Sequence, residues 1–530
     1  MTVQGERTRA ELWNLLAERP GQNKRQLLAG LRLRGLSVES AREVNRTLYR
    51  SSNLFVHDGA TPPRWHLTSG SRSAGLSIST TVGPALPRCY RGREPRAWQL
   101  EALIEWRARG RCGVVEAVTG TGKTAVGVLA AAAALDAGEK VLVLVPGREL
   151  LDQWYEVLRR DLRNTRVGRV GDGHRDSFDH YPILVAVVHS AARRQMLTWG
   201  TPGLLVADEV HRYGAPSFAL ALEPEFDARL GLTATYERSD DGLAEHLDPY
   251  FGGMVAGCGY QRGLEDGILA PFRVAFLGVD FTSDERRRHD EYDERAKVLR
   301  RRLIEVHGCP EEPFGEFMAH VNRLREGSHG DHWAVRDARG YLNAFSKRRQ
   351  LLADCRPKQE ALSSLTSVLA AAGRGLVFSE TKASAEQAAA VLIGSGIRAR
   401  PFTSGLRRAD RKDRLAAFKD GNVRVLTAPR VLDEGVDVPQ AEVGVILAGS
   451  RSRRQMIQRM GRVIRPKADR RPAAFIVMYV TGTAEDPAQG AHEAFLGDLT
   501  HVAEKIDHFD PGTAGSELLG WYYEGRTEVR

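Results

Sequence analysis

The segment Ala117-Val-Thr-Gly-Thr-Gly-Lys-Thr124 carries the plainest chemistry in the chain. It follows the apolar run Gly113–Glu116 and opens an alanine-rich stretch, so it falls on a strand-to-helix turn, the setting a phosphate-binding loop requires. There Thr119, Gly120, Thr121 and Gly122 turn backbone N–H groups onto phosphate oxygens, Lys123 reaches the β and γ phosphates, and the Thr124 hydroxyl can ligate Mg2+. Ala117 stands where the general pattern has glycine. Further on, the run Leu204-Leu-Val206 ends in Ala207-Asp-Glu-Val-His211, placing two adjacent carboxylates at a strand's C-terminal edge, where α/β folds bind ligands. Asp208 is suited to hold the metal, and Glu209 to orient and deprotonate a water attacking a γ-phosphate. Near the C-terminal end, Gln458, Arg462 and Arg465 share one helical face at i, i+4, i+7 spacing. A guanidinium delivered across a cleft stabilises charge on a transferring phosphoryl group. Each motif alone has a bland reading: a ligand-free glycine turn, a solvent-facing acid pair, a solvated arginine helix. In combination they predict Mg2+-assisted hydrolysis of a γ-phosphate.

Such residues need strands to hold them. From about Arg91, short apolar runs alternate with helical patterns: Gly113–Glu116, Val141–Val145, Ile183–Val187, Leu204–Val206 and Leu230–Leu232. A second series follows at Gly375–Phe378, Ile397–Phe402, Val423–Leu426, Val443–Leu447 and Phe475–Val480, with helices expected over Ser384–Leu392 and Arg407–Phe418. This is the spacing of two α/β domains in tandem. Between them, Ser283 to Arg356 is charged and helical in pattern, with basic clusters at Arg286–Arg288, Arg300–Arg302 and Lys347–Arg349. These read first as solvated helix faces, with a nucleic-acid grip as the alternative.

The ordered motifs from about Tyr90 to Val480 resemble superfamily 2 helicases and translocases, in particular the XPB-type branch of DEAD/DEAH-like proteins. That family tolerates Ala117, and His211 completes a D-E-V-H version of its motif II. Arg96-Ala-Trp-Gln99 resembles the adenine-reading Q motif, with Gln99 on the adenine edge. Pro146 to Trp154 looks like motif Ia, which implies a nucleic-acid backbone contact for Arg148. Gly231-Leu-Thr-Ala-Thr235 resembles motif III, with Thr233 and Thr235 coupling ATP state to closure and Arg238 and Asp240 following. Val377–Thr381 looks like motif IV, Thr403-Ser404 falls where a backbone-contacting segment is expected, and Asp433–Asp437 resembles motif V, with Gly435 and Asp437 near the ribose and γ-phosphate. The resemblance implies two RecA-like domains that sandwich ATP and clamp a strand, with a helical thumb reached through Asp266–Pro271. The implied partner is nucleic acid, duplex DNA first, with RNA left open. A sensor or binding switch, gated by ATP without processive movement, is the competing reading.

Residues 1–68 read as three helices and a β-hairpin, Asn53–His57 and Arg64–Leu67 around Asp58-Gly59, a winged helix-turn-helix order. Arg42, Asn45, Arg46 and Tyr49 share one face of the third helix. With Thr61, Pro62, Pro63 and Trp65 they resemble the Z-alpha domains, which implies binding to left-handed nucleic acid through backbone shape; ordinary duplex binding, or docking on the motor, is the alternative. The expected layout is therefore a winged helix (1–68), a Ser/Gly/Pro-rich linker (69–90), RecA-like domains at 91–280 and 357–482, a thumb-like insertion (281–356) and an extension (483–530) whose Trp521–Tyr523 either stacks on bases or packs inward.

Composition agrees. The 530 residues are 42% hydrophobic and 27% charged with a formal charge of +9, a globular balance compatible with a polyanionic partner. Five scattered cysteines without a C-x-x-C pair suggest reduced thiols rather than disulfides or zinc. No run approaches the ~20 apolar residues of a membrane span, and the N-terminus lacks a secretory core, so the expected location is cytoplasmic.

Overall fold

The computed structural model describes residues 86–238, 240–312, 314–327, 332–429, 441–447, 461, 463, 472–489, 491, 501–512 and 514–524, and, nearer the N-terminus, 12, 15–16, 22–23, 26–27, 31, 55–57 and 64–67. It divides into two units, Met1–Ala85 and Leu86–Arg530.

In the first unit Leu12, Leu15, Leu16, Leu27 and Leu31 are helical and buried, the i, i+3, i+4 spacing of a packed helix face. Three short strands, β1 (Gln22–Asn23), β2 (Phe55–His57) and β3 (Arg64–Leu67), form an antiparallel sheet in the order β1-β3-β2. The expected hairpin is present as the β2–β3 pair, with Val56 opposite His66. β1 was not expected. Trp65 lies on β3; Arg42, Asn45, Arg46, Tyr49, Thr61, Pro62 and Pro63 fall outside the described residues.

The second unit carries two sheets. The first contains β4 (Cys112–Glu116), β5 (Lys140–Val145), β6 (Val167–Gly171), β7 (His174–Arg175), β8 (Ile183–Val187), β9 (Gly203–Asp208), β10 (Ala228–Thr233) and β11 (Met254–Ala256). Its order is β11-β4-β10-β9-β5-β8-β6-β7, parallel except for the β6–β7 pair. All five expected strands are there, Ile183–Val187 with the expected bounds and the other four extended by one to three residues. Their side chains are buried on both faces, which is why they read as unbroken apolar runs. Three helices position the site: α1 (Ala97–Ala108), α2 (Lys123–Asp136) and α3 (Arg148–Asp161).

The second sheet contains β12 (Phe272–Val279), β13 (Gly375–Phe378), β14 (Ala399–Pro401), β15 (Val425–Ala428), β16 (Val443–Ile446), β17 (Ala473–Val480) and β18 (Lys505–Phe509), all parallel in the order β14-β15-β13-β16-β17-β12-β18. This corrects the expected boundaries at both ends. β12 falls inside the 91–280 segment assigned to the first domain, yet all eight of its residues pair with β17 in the second sheet. β18 and the helix Ala514–Tyr523 fall inside the expected extension, yet β18 pairs with β12, and Trp521 and Tyr522 are buried in the same apolar cluster as Leu362 and Val368. Those aromatics pack inward; Tyr523 alone is half exposed.

Between β12 and β13 of this second sheet, α4 (Ser283–Glu305), α5 (Phe314–Glu326) and α6 (His332–Asp354) form the expected helical insertion around their own core of Leu303, Phe317, Val321 and Tyr341. Its basic clusters are largely paired within the protein. Arg287 bonds Asp284 and Glu291, Arg348 bonds Asp293, Arg349 bonds Glu380, and Lys347 sits over the Tyr292 ring. The solvated, self-paired reading of these runs is the one the geometry supports. All five cysteines are free. Among the described residues no helix is long and apolar enough to cross a membrane.

Candidate active site

The C-terminal edges of β4, β9 and β10 meet. Register places Leu232 beside Asp208, and Thr233 beside Glu116. The loop after β4 turns through Gly120 (φ 93°) and Gly122 (φ 102°), left-handed backbone that glycine adopts freely. A methyl at Gly122 would come within 2.8 Å of the Gln99 amide, so the loop closes on α1 only because no side chain intervenes. Thr121 is buried, its hydroxyl donating to the Val118 carbonyl. Lys123 heads α2, and its ammonium donates to the Ala117 carbonyl at 2.7 Å. Burial pulls the Lys123 pKa down, while the charges of Glu209, Asp208 and Glu116 pull it back up.

Asp208 ends β9 nearly buried. Its Oδ1 accepts from the backbone N–H of Glu209 at 3.0 Å and its Oδ2 from the indole N–H of Trp154 at 2.7 Å. Burial raises its pKa, and the Trp154 bond and the Lys123 charge oppose that rise. Glu209 sits in the left-handed region (φ 51°, ψ 48°), a conformation uncommon outside glycine that turns its side chain off the strand line at the site. Its carboxylate lies 3.6 Å from the His211 ring, whose Nδ1 bonds the Thr233 hydroxyl at 3.1 Å. Thr233 in turn donates to the Thr235 carbonyl, and Arg238 holds the Asp240 carboxylate and the His211 carbonyl. The acidic motif and the threonine motif are thus one hydrogen-bonded unit.

Beside the loop lies a cavity of about 690 Å³ bordered by Tyr90, Arg93, Arg96, Gln99, Gly122 and Thr124, room for a nucleoside. Gln99 was expected on the adenine edge. Its amide N–H donates to the Gly122 carbonyl (3.0 Å) and its oxygen accepts from Arg96 N–H (2.8 Å), so it first braces the loop and keeps one N–H and one lone pair for a base. Arg96, given no separate role by the sequence, donates to the Thr121 carbonyl at 2.5 Å.

Mg2+ fits the donor set. Among the described residues no cluster of three or more acids, histidines or cysteines could cage a metal. The Asp208 carboxylate at the end of β9 and the Thr124 hydroxyl in the first turn of α2 are the kind of incomplete donor set that Mg2+ uses when phosphates and water supply the rest.

Two contacts join the sheets across this site. A methyl at Gly461 would lie 2.3 Å from Cβ of Thr119 and 2.7 Å from its carbonyl oxygen, so Gly461 itself rests directly on the phosphate loop. Arg411, on the helix Arg408–Lys419, donates to Glu149 at 2.6 Å. Val118 and Ala234 share one apolar cluster with Phe402 and Val463. The expected partners Gln458, Arg462 and Arg465, with Gly435 and Asp437, lie outside the described residues. Arg148 stands apart from the phosphate site, exposed at the start of α3 and 3.2 Å from Asp172. Trp154 was read only as the end of a motif, and its bond to the acidic strand end is visible only in the fold.

Comparison with known proteins agrees with this geometry. Residues 93–238 match the family model of the type III restriction enzyme res subunit, and residues 357–467 that of the helicase conserved C-terminal domain. The chain is 28% identical over 398 residues to the DNA 3'-5' translocase XPB2 of Sulfurisphaera tokodaii, covering 74% of this chain and 83% of that protein. It is 26% identical to the DNA 3'-5' helicase XPB of Mycobacterium tuberculosis (76% of this chain, 64% of that protein) and 29% identical to a Rad25-named protein of Halobacterium salinarum, of which it spans about half. Among solved structures, S. cerevisiae Dbp5 bound to RNA and ADP BeF3 superposes with a TM-score of 0.51 at 13% identity, covering 81% of this chain and 97% of that one. The type ISP restriction-modification enzyme LlaBIII bound to DNA gives 0.52 at 15% identity, covering 82% of this chain and 32% of that one. These structures share the fold of paired RecA-like domains. The phosphate loop, the acidic strand end and the two matched helicase domains together make this chain a helicase, an enzyme that hydrolyses ATP.

Proposed function

We propose that the chain is an XPB-type DNA translocase or helicase, located in the cytoplasm, that hydrolyses ATP to move 3'-5' on or remodel duplex DNA, with an N-terminal winged helix of the Z-alpha kind delivering it to its substrate. The observation that carries the motor reading is the seating of Gly461 on Thr119: the second domain reaches the phosphate loop of the first, so a change in closure is a change in the site. In this account Lys123 and the Thr119–Gly122 amides hold the phosphates, Thr124 and Asp208 hold the metal, and Glu209 takes the proton of the attacking water. Bound Mg2+ supplies charge neutralisation of the β and γ phosphate oxygens. Arg462 and Arg465 face the transferring phosphoryl group from the second domain, Gln458 lies on the same helix face, and Gly435 and Asp437 border the ribose. Arg148 touches the strand backbone. Arg42, Asn45, Arg46, Tyr49, Thr61, Pro62, Pro63 and Trp65 form the contact face of the winged helix, supported by the locally basic composition of residues 1–68, with eleven Lys/Arg against six Asp/Glu.

The test is ATP-dependent strand displacement on duplexes carrying a 3' or a 5' single-stranded tail, repeated with an alternating CG duplex locked in the left-handed form. The proposal expects displacement from the 3' tail and tighter binding of the left-handed duplex by the full chain than by a chain lacking residues 1–68. ATPase stimulated by DNA with no displacement from either tail would instead favour the ATP-gated switch. Equal binding of both duplex forms would remove the Z-form assignment.

A further inference from the structure

We propose that Trp154 is the positioning residue that aims the Asp208 carboxylate at the magnesium ion of the ATP site. The inference rests on the reading of Asp208 as the metal-holding acid.

The indole N–H donates to Asp208 Oδ2 at 2.7 Å, across 54 residues of sequence and from helix to strand. Both partners are almost removed from solvent, Trp154 at 1% and Asp208 at 7% exposure. A buried indole N–H needs an acceptor, but a backbone carbonyl serves that purpose, as Arg229 does for Trp106 at 3.0 Å. Here the acceptor is one oxygen of the single acid suited to the metal. The other oxygen, Oδ1, is fixed by the backbone N–H of Glu209. With each oxygen held by one donor, rotation of the carboxylate is arrested, and one lone-pair direction on each oxygen remains for ligand or water. Fixing a metal-binding group by an outer hydrogen bond, so that no reorganisation accompanies binding, is how outer-sphere partners raise metal affinity.

The ring itself is held in place from the far side. Gly127, within α2, leaves room for it: a methyl there would come 2.6 Å from Trp154 Cη2. Glycine inside a helix destabilises it by about 0.5–1 kcal/mol relative to alanine. At this position the residue that costs helix stability is also the one that lets the indole lie between the phosphate-loop helix and the acidic strand; the same added methyl would also meet Leu232 at 3.1 Å and Val206 at 3.3 Å.

The test compares wild type with Trp154→Phe, which deletes the N–H and shrinks the ring, and with 3-benzothienylalanine placed at position 154, which keeps the bicyclic shape and carries sulfur in place of N–H. The measurement is the Mg2+ concentration that half-saturates tight binding of a fluorescent N-methylanthraniloyl ATP, followed without turnover, beside the Mg2+ dependence of ATPase. We expect both variants to need about tenfold more Mg2+, with binding in the absence of Mg2+ and the melting temperature of the benzothienyl protein close to wild type. An unchanged Mg2+ requirement in the benzothienyl protein would overturn the proposal, whatever happens to the phenylalanine variant's stability. Asp208→Asn separates the two layers. If it abolishes the Mg2+-dependent tightening, the reading of Asp208 stands and the variants at 154 judge Trp154 alone; if tightening persists, the reading beneath the proposal has failed.

Discussion

Adding one methyl at Gly461 should disable turnover without dismantling either domain. The new Cβ would sit 2.3 Å from Thr119 Cβ, 2.7 Å from the Thr119 carbonyl oxygen and 2.9 Å from its Cγ2. Carbon atoms in contact prefer about 3.5–4.0 Å, so the Gly461 backbone must retreat by roughly 1.2 Å or more, or the phosphate loop must give way. Thr119 is followed at once by Gly120 to Lys123, whose amides and ammonium define the phosphate site, so neither movement leaves the geometry intact. A displacement of ~1 Å in a catalytic arrangement can cost about 100-fold in rate, equivalent to ~2.7 kcal/mol of barrier. The assay is steady-state ATPase of Gly461→Ala at saturating single-stranded DNA, with kcat and KM determined separately and fluorescent ATP binding measured beside them. The expected result is kcat down by about two orders of magnitude, because the second domain no longer closes, with nucleotide binding to the first domain and the melting temperature little changed. Gly259→Ala, where an added methyl meets nothing, is the control and should match wild type. A Gly461→Ala kcat within a few-fold of wild type would refute the claim that the second domain completes the site by resting on the loop.

Three other outcomes follow from the same geometry. Glu209→Gln keeps shape and removes the base, so turnover should fall by about 10²–10⁴ while ATP still binds; substantial residual turnover would remove the assigned role. Lys358 is fully buried and donates to Glu485 at 2.5 Å and to the Leu352 carbonyl at 2.8 Å. Lys358→Met alone strands a buried carboxylate and should cost about 3–5 kcal/mol in denaturant unfolding, whereas Lys358→Met with Glu485→Leu should cost much less; equal costs would contradict the pairing. Arg262 grips Glu101 through two bonds of 2.5 and 2.9 Å and holds that carboxyl below its ordinary value of 4.5. A depressed folded pKa gives stability that is present above 4.5 and lost as pH falls through the lower folded value, small here because both groups are partly exposed. The melting temperature of wild type should therefore drop more steeply than that of Arg262→Gln between about pH 5 and pH 3; parallel slopes would show that the pair adds nothing.

How much of this was legible in the sequence depends on the range of the interaction concerned. Gly120, Gly122, Lys123 and Thr124 announce themselves because phosphate binding is written within eight consecutive residues. Ten strands were visible as apolar runs because parallel strands buried on both faces leave little room for polar residues. β6, with the sequence Val-Gly-Arg-Val-Gly, lacks such a run and was missed. β12 was missed for another reason: the residues before it read as an exit toward the helical insertion, and nothing in Phe272–Val279 says which of two parallel sheets it joins. That choice is made by β17, almost two hundred residues on. The basic clusters of the insertion read as solvated helix faces, with a nucleic-acid grip as the alternative, and the internal pairing of Arg348 was not seen because Asp293 is 55 positions away and the pair exists only once α4 and α6 lie side by side. Gln99 was expected on an adenine edge and borders the cavity beside the loop, but its bond to the Gly122 carbonyl depends on a close approach that glycine permits and sequence spacing does not reveal. Trp154 shows the same limit, since an aromatic in a helix pattern reads as core until the strand end opposite it is known.

The most direct test of the account is the steady-state ATPase of the purified chain with Mg2+, measured without nucleic acid and with saturating single-stranded DNA. A site completed by the second domain resting on the loop of the first predicts that a bound strand raises kcat many-fold, and that Lys123→Ala abolishes activity in both conditions. A kcat unaffected by a strand that demonstrably binds would contradict the claim that closure on nucleic acid completes the site.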